Sequence, residues 1–365
     1  MAKVAVIGSG VWAYRHEISQ ITGLDPVYLR RTQKPPAGVV AVVGWGNKPA
    51  INDPRLYAKN NGLRYLAIED GFLRSIYPGP TSPSASLFYD DLGIYYDTQQ
   101  ATRLDKLIAS RVDAHGDTLG AQVIETLKSL GLSKYNSFER DLHPASILSF
   151  NTENAVLCVD QTFGDMSISG AQASEGRFAE MLAYVLEAYP SRPVIVKTHP
   201  DVMSGRKKGC IPDKLLRDTR VQLLQESVNP WLLFDVATEV HCVSSQLGFE
   251  ALMAGASVHC WGAPFYAGRG LTHDHISMPE RLACSLTDMV AAVYWDYAFY
   301  FDAWSRTKID FFRAADQMNY LRQHMPRQVP RFQQIMPREL NFFLHKLLVL
   351  PNKPLVTRSV RSAER

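Results

Sequence analysis

Short apolar runs alternate with amphipathic stretches from the N-terminus to about residue 295, the pattern of strands joined by crossover helices in a largely parallel sheet. Residues 3–8 read as the first strand, which enters a turn at Gly8-Ser9-Gly10 and a helical stretch beyond it. The run 39–43 is a second apolar strand ending in Gly44-Trp45-Gly46, and a short helix near 54–60 precedes a third strand at 64–68. Residues 76–86 are rich in Pro, Gly and Ser and read as a long loop; loops of that length inside a domain usually carry function. A strand at 93–97 and helices at 102–109 and 118–130 lead to a polar hinge near 133–144. A second alternating block opens with the strand 154–159 and continues through a helix at 176–188 to the strand 193–197. Farther on, a strand at 239–243 feeds a helix at 246–254 that Gly255 stops. These blocks define two domains, 1–145 and 146–295, followed by a basic helical segment, 296–365.

Polar residues at the strand ends supply the candidate chemistry. In open α/β sheets, ligands bind in the crevice outside the carboxyl ends of the strands. Glu69-Asp70-Gly71 closes one strand, Asp160-Gln161 another, with Asp165 shortly after, and Lys197-Thr198-His199-Pro200 a third. Ser244-Ser245 opens the helix at 246, and capped helix starts bind phosphate and carboxylate groups. Carboxylates, a hydrogen-bonding His and an anion-binding helix start are what transfer from a nucleotide-linked acidic sugar requires. Gly8-Ser9-Gly10 lacks the third glycine and the matching acid of a dinucleotide site. No Asp-x-Asp string occurs, and His273-Asp274-His275 lacks a third ligand at metal spacing, so no metal is expected.

Composition narrows the class. At 46% hydrophobic and 21% charged residues the chain reads as globular, with no apolar run long enough to span a bilayer. The N-terminus reads as a strand rather than a signal peptide, and the five cysteines have no ligand spacing, which together point to the cytoplasm. The net charge of +3 is uneven: from Arg306 to Arg365 there are 12 Lys/Arg against 4 Asp/Glu, interleaved with Phe and Leu. Basic amphipathic segments associate with anionic membrane surfaces, so this tail is expected to rest on the inner membrane. No nucleic-acid partner is expected.

Eight ordered strings are similar to KpsC-type capsule β-Kdo transferases, over about residues 1–300. They are Gly44-Trp45-Gly46 with Lys48-Pro49, the run Glu69 to Ser75, Gly93 to Asp97, Ser133 to Asn136, Val159 to Ser167, Lys197 to Asp201, Ser244 to Leu252, and Phe265 to Gly268. Where the family has Trp after the last string, this chain has Arg269. The length corresponds to one transferase module of the bimodular members, and the opening resembles the N-terminal one.

The resemblance implies a GT-B-like α/β fold, with two Rossmann-type domains facing across a central cleft and C-terminal helices packing back. It implies CMP-β-Kdo as donor, a Kdo-terminated phosphatidylglycerol-linked glycolipid as acceptor, a β-(2→4) link and retention of configuration; with one phosphate on the leaving group, no metal or other cofactor is expected. Retention by double displacement needs a carboxylate nucleophile and a separate base. Asp160 is the expected nucleophile, with Asp165 the alternative; Glu69 or Asp70 is the expected base, each raising the other's pKa. His199, with Lys197, is expected at the leaving phosphate, and Ser244 and Ser245 at the phosphate or sugar carboxylate. Glu250 is a candidate for the ribose hydroxyls, and Gln161, Arg74 and Lys207-Lys208 for the Kdo carboxylate or acceptor anions. The competing readings are a sialyltransferase-like CMP-sugar enzyme and a non-catalytic glycolipid-binding module.

Overall fold

Thirteen strands among the described residues build two sheets. The computed structural model describes residues 1–325 except 31, 48–52, 80, 81, 83, 115–117, 139–141, 149–153, 199–201, 203–207 and 279. The strands are β1 (Lys3–Ile7), β2 (Asp25–Leu29), β3 (Val39–Trp45), β4 (Arg64–Asp70), β5 (Ser86–Asp90), β6 (Val156–Val159), β7 (Val194–Lys197), β8 (Val221–Leu224), β9 (Glu239–Cys242), β10 (Ser257–Cys260), β11 (His273–Asp274), β12 (Ala298–Phe301) and β13 (Lys308–Ile309). The first sheet has the order β13-β12-β5-β4-β3-β1-β2, the second β11-β10-β9-β6-β7-β8. All pairings in the second sheet are parallel. In the first sheet, β1 to β4 are parallel, and β5, β12 and β13 extend it antiparallel.

The central strands are apolar throughout because both of their faces are covered. In β6, Val156 and Cys158 pack with Phe178, Met181, Leu182 and Val185 of the helix Gly176–Ala188. Leu157 and Val159, on the other face, join Phe249 of the helix Gln246–Ala254 in a larger core. That core continues into the first sheet: Phe72 has its ring 5.7 Å from Phe265 and 6.4 Å from Phe249. The two sheets therefore share an apolar seam that fixes their strand ends relative to each other.

Three expectations are corrected. Residues 93–97 form no strand; Ile94 and Tyr96 are buried in a turn closed by the Asp97 N–H on the Ile94 carbonyl. The strand that pairs with β4 is β5, whose alternation of Leu87 and Tyr89 with Phe88 suits antiparallel pairing. The hinge at 133–144 is not polar surface at its start, since Ser133 and Asn136 are buried and hydrogen-bonded. Finally, the segment 296–365 is not helical from its beginning. Ala298–Phe301, an aromatic run that favours a strand, pairs with β5 through Ala298 and Phe88, so the chain returns to complete the first sheet.

Only then does the helix Phe311–His324 pack back against the helix Leu119–Leu130. Two cations of the basic tail serve the fold. Arg306 is buried, pairing with Glu17 at 2.7 Å and donating to the Ser84 carbonyl at 3.0 Å. Arg322 donates to the carbonyls of Leu130 and Gly131, satisfying a helix C-terminus. The rest of the tail, including 338–365, lies outside the described residues. No helix among the described residues is long and apolar enough to cross a membrane.

Candidate active site

Asp160 follows β6 directly and is held by the backbone. Its Oδ1 accepts from the N–H groups of Gln161 and Cys210, both at 2.9 Å, and of Ile211 at 3.1 Å. The other oxygen faces Gly209 so closely that a Cβ there would overlap it. Burial raises the Asp160 pKa above the usual carboxylate range, and the three N–H donors oppose that rise. The backbone thus fixes one oxygen of Asp160, and the second packs against Gly209.

Beside it, Gln161 ties two strand ends together. Its Oε1 accepts from the Ser244 N–H at 3.0 Å, and its Nε2 donates to the hydroxyls of Ser244 (3.0 Å) and Ser167 (3.2 Å). Ser167 and Ser244 lie 3.0 Å apart. Ser245 caps the helix Gln246–Ala254, accepting from the Leu247 N–H at 3.2 Å. Lys197 closes the neighbouring strand β7 and donates to the Glu226 carbonyl at 3.0 Å; burial pulls its pKa down to about 8. His199 and Lys207 lie outside the described residues.

Across the seam, the two neighbouring carboxylates of β4 have different surroundings. Glu69 accepts from the Trp45 indole at 2.7 Å. Gly46, at φ +49°, approaches its other oxygen: a Cβ on Gly46 would lie 2.7 Å from Glu69 Oε2 and overlap the Tyr96 hydroxyl. The Gly44-Trp45-Gly46 string thus packs around Glu69 through Trp45 and Gly46. Asp70 forms an ion pair with Arg74 at 2.6 Å and accepts from the Ser84 hydroxyl at 2.6 Å. Burial alone would raise its pKa, but Arg74, Ser84 and Lys134 outweigh it and hold the carboxyl below its ordinary value. The expected mutual raising therefore fails for Asp70, because an opposite charge and a hydroxyl donor in direct contact with it stabilise its charged form. Arg74 is 3% exposed, and its guanidinium is engaged by Asp70 and Ser75.

Charge links the two halves. After burial, Glu69 is the largest influence raising the Tyr96 phenol, and Asp165 acts in the same direction. Asp165 also acts on Cys210, pushed up to about 12 by burial, Asp160 and other neighbouring acids. Asp165 itself caps the helix Met166–Gly170, accepting from the Ser167 N–H at 2.9 Å. Tyr96 thus feels both Glu69 and Asp165, and Cys210 feels both Asp160 and Asp165. Ser167, Gly209 and Tyr96 were not singled out individually from the sequence; two of them sit inside the similar strings, and Gly209 carries no sequence signal of its own.

Glu250 is turned away from solvent. It is 2% exposed, and its two oxygens accept from the Ser133 hydroxyl at 2.8 and 3.0 Å, joining the two domains. Gln246 Nε2 donates to it at 3.1 Å, while Gln246 Oε1 has no partner among the described residues. Burial raises the Glu250 pKa to about 7 from 4.5. The native state therefore keeps a proton that the unfolded chain loses between about pH 4.5 and 7, and stability falls as pH rises through that window. The full cost, about 3 kcal/mol at most, is present above it. Glu250→Gln, whose amide supplies a donor for Gln246 Oε1, should flatten this dependence. In urea unfolding it should match the parent near pH 4.5 and exceed it at pH 8.

Residues 40–128 and 120–301 match the family described as capsule polysaccharide biosynthesis protein. The chain belongs to that family. Every candidate residue from Glu69 to Glu250 falls inside the matched segments. Among relatives, the capsule polysaccharide modification protein LipA of Neisseria meningitidis serogroup A is 39% identical over 275 residues, 72% of this chain and 39% of LipA. The lipopolysaccharide-processing protein LpsZ of Rhizobium meliloti is 32% identical over 265 residues, 71% of this chain and 59% of LpsZ. The chain thus spans less than two thirds of the length of either relative.

Among solved structures, Thermosulfurimonas dismutans KpsC, described as a beta Kdo 2,4 transferase, superposes with a TM-score of 0.76 at 32% identity. The match covers 87% of this chain and 98% of that one. A second KpsC structure from the same organism, described as a beta Kdo 2,7 transferase, shares the fold at TM-score 0.63 and 24% identity, covering 87% and 99% of the two chains. This member of the capsule-synthesis family has the GT-B-like arrangement of two Rossmann-type domains. Its Arg269 is 3% exposed and pairs with Asp105 of the first domain while donating to the Phe265 carbonyl, so this departure ties the domains together.

Proposed function

We propose that the chain is a retaining β-Kdo transferase that moves Kdo from CMP-β-Kdo to a Kdo-terminated, phosphatidylglycerol-linked glycolipid through a β-(2→4) link in capsule synthesis. The observation that carries the reading is the similarity over 87% of this chain, at 32% identity, to a structure described as a beta Kdo 2,4 transferase. Carboxylates at the ends of β4 and β6, Glu69 and Asp160, support the chemistry. The free oxygen of Asp160 attacks the anomeric carbon as the bond to the phosphate breaks and CMP departs with the electron pair. The acceptor hydroxyl then attacks the glycosyl-aspartyl ester, its proton passes to Glu69, and the Asp160 carboxylate is released; two inversions give retention. Asp165 is the alternative nucleophile and Asp70 the alternative base.

Ser244, Ser245, Gln161, Lys197 and His199 serve the donor, and a cationic Lys197 stabilises charge building on the phosphate. A CMP leaving group carries one phosphate, and no metal takes part in this scheme. The basic tail brings the enzyme to the cytoplasmic face of the inner membrane, where its acceptor resides. Incubation with CMP-Kdo and CMP-sialic acid in parallel, each with a synthetic Kdo-lipid acceptor, tests the reading. CMP should be released only from CMP-Kdo, and NMR of the product should show a β-(2→4) Kdo. Turnover of CMP-sialic acid, or tight CMP binding with no release from either donor, would overturn it.

A further inference from the structure

Imidazoles from three adjacent strands line up on one face of the second sheet. His241 of β9 is in register with His259 of β10, and His259 with His273 of β11; the successive ring centroids are 4.3 and 4.7 Å apart. His275, just beyond β11, closes over this ladder with Nε2 3.0 Å from His259 Nδ1, and the Trp261 indole stacks on it at 4.2 Å. One nitrogen each from His241, His259 and His275 lies within 4.8 Å of the other two. The His259 Nε2 stands 3.4 Å from the Glu239 carboxylate, the outer contact that orients a metal-binding imidazole. His241 is fully buried; its Nδ1 accepts from the Trp261 indole at 3.2 Å, and its Nε2 has no hydrogen-bond partner among the described residues.

We propose that His241, His259 and His275 supply three ligands of a site for a borderline divalent cation such as zinc, with a water molecule as the fourth. Neutral imidazole nitrogens are ligands of choice for that class of ion. With bonds of about 2.0–2.1 Å, tetrahedral zinc sets its nitrogens about 3.4 Å apart, so the His259–His275 pair at 3.0 Å would part slightly while separations of up to 4.8 Å would close. Binding exchanges the indole N–H for the cation as partner of the His241 ring. Burial, with the neighbouring rings, lowers the pKa of all three imidazoles, that of His241 to about 2. The cluster lies on the sheet face beneath the helix Gly176–Ala188, whose Tyr184 ring is 4.9 Å from His275. Val240 and Cys242, the residues flanking His241, belong instead to the core shared between the sheets. The ion would clamp β9, β10 and β11 together and stand apart from the transfer chemistry.

The test uses the untagged full chain, stripped with a chelator, dialysed, and titrated with Zn²⁺ by calorimetry and with Co²⁺ by visible absorption. One ion should bind per chain, with the absorption of tetrahedral cobalt and no thiolate charge-transfer band. Zn²⁺ should raise the thermal midpoint by several degrees. His259→Ala should weaken binding at least 100-fold. His275→Gln, at a partly exposed ring where folding is checked by circular dichroism, should do the same. Absence of saturable binding, a thiolate band, or undiminished affinity in folded His275→Gln protein would overturn the proposal.

Discussion

Asp160→Asn is expected to lower kcat/KM by roughly three to four orders of magnitude, as loss of a covalent nucleophile does, while the fold and CMP affinity survive. The amide oxygen of Asn can accept from the same three N–H groups of Gln161, Cys210 and Ile211, so the loop keeps its anchor. What disappears is the anion. Asp160→Ala is the less clean variant, because it orphans three buried donors and adds a folding defect. Intact-mass spectrometry of the parent enzyme with donor alone should find a Kdo adduct on Asp160, and none in the Asn variant. Gly209→Ala should also lose activity although every acid is retained, since its Cβ overlaps the oxygen proposed to attack. An adduct on Asp165, or undiminished turnover in Asp160→Asn, would move the nucleophile.

The two acids of β4 should fail in different ways. Glu69→Gln keeps an acceptor for the Trp45 indole and should fold normally, yet lose roughly 10²- to 10⁴-fold in turnover as a missing general base. Asp70→Asn removes the partner of a guanidinium that is 3% exposed, and stranding a buried charge costs about 3–5 kcal/mol. Its primary deficit should therefore be stability, read as a lowered urea midpoint. The parent's Asp70 contribution is present above the unfolded pKa near 3.8 and is lost as pH falls through its lower native value. Should Asp70→Asn remain as stable as the parent and lose only turnover, the assignments would be exchanged.

Much of this arrangement was legible in the chain. Runs such as Val156–Val159 and Val194–Lys197 announce buried parallel strands because both faces are apolar, and the polar residues that follow them fall where such sheets bind ligands. What stayed hidden depends on partners distant in sequence. Nothing local distinguishes Glu69 from Asp70; the difference lies in Trp45 on one side and in Arg74 and Ser84 on the other. Gly93 to Asp97 has strand-like composition, but β5 already occupies the edge of β4. The histidine ladder draws on positions 241, 259 and 275, which only strand register brings together.

The return of β12 to the edge of β5 sets an order of assembly during synthesis. The second sheet lies wholly between residues 156 and 274, so it leaves the ribosome complete while the first still lacks its outer strands. Until residue 301 emerges, the outer edge of β5 presents unpaired backbone groups, the kind of edge that captures stray strands. A fragment ending at residue 295 carries that open edge permanently. Such fragments should aggregate, and a stable minimal protein needs the strand at 298–301 even when only the first domain's chemistry is wanted.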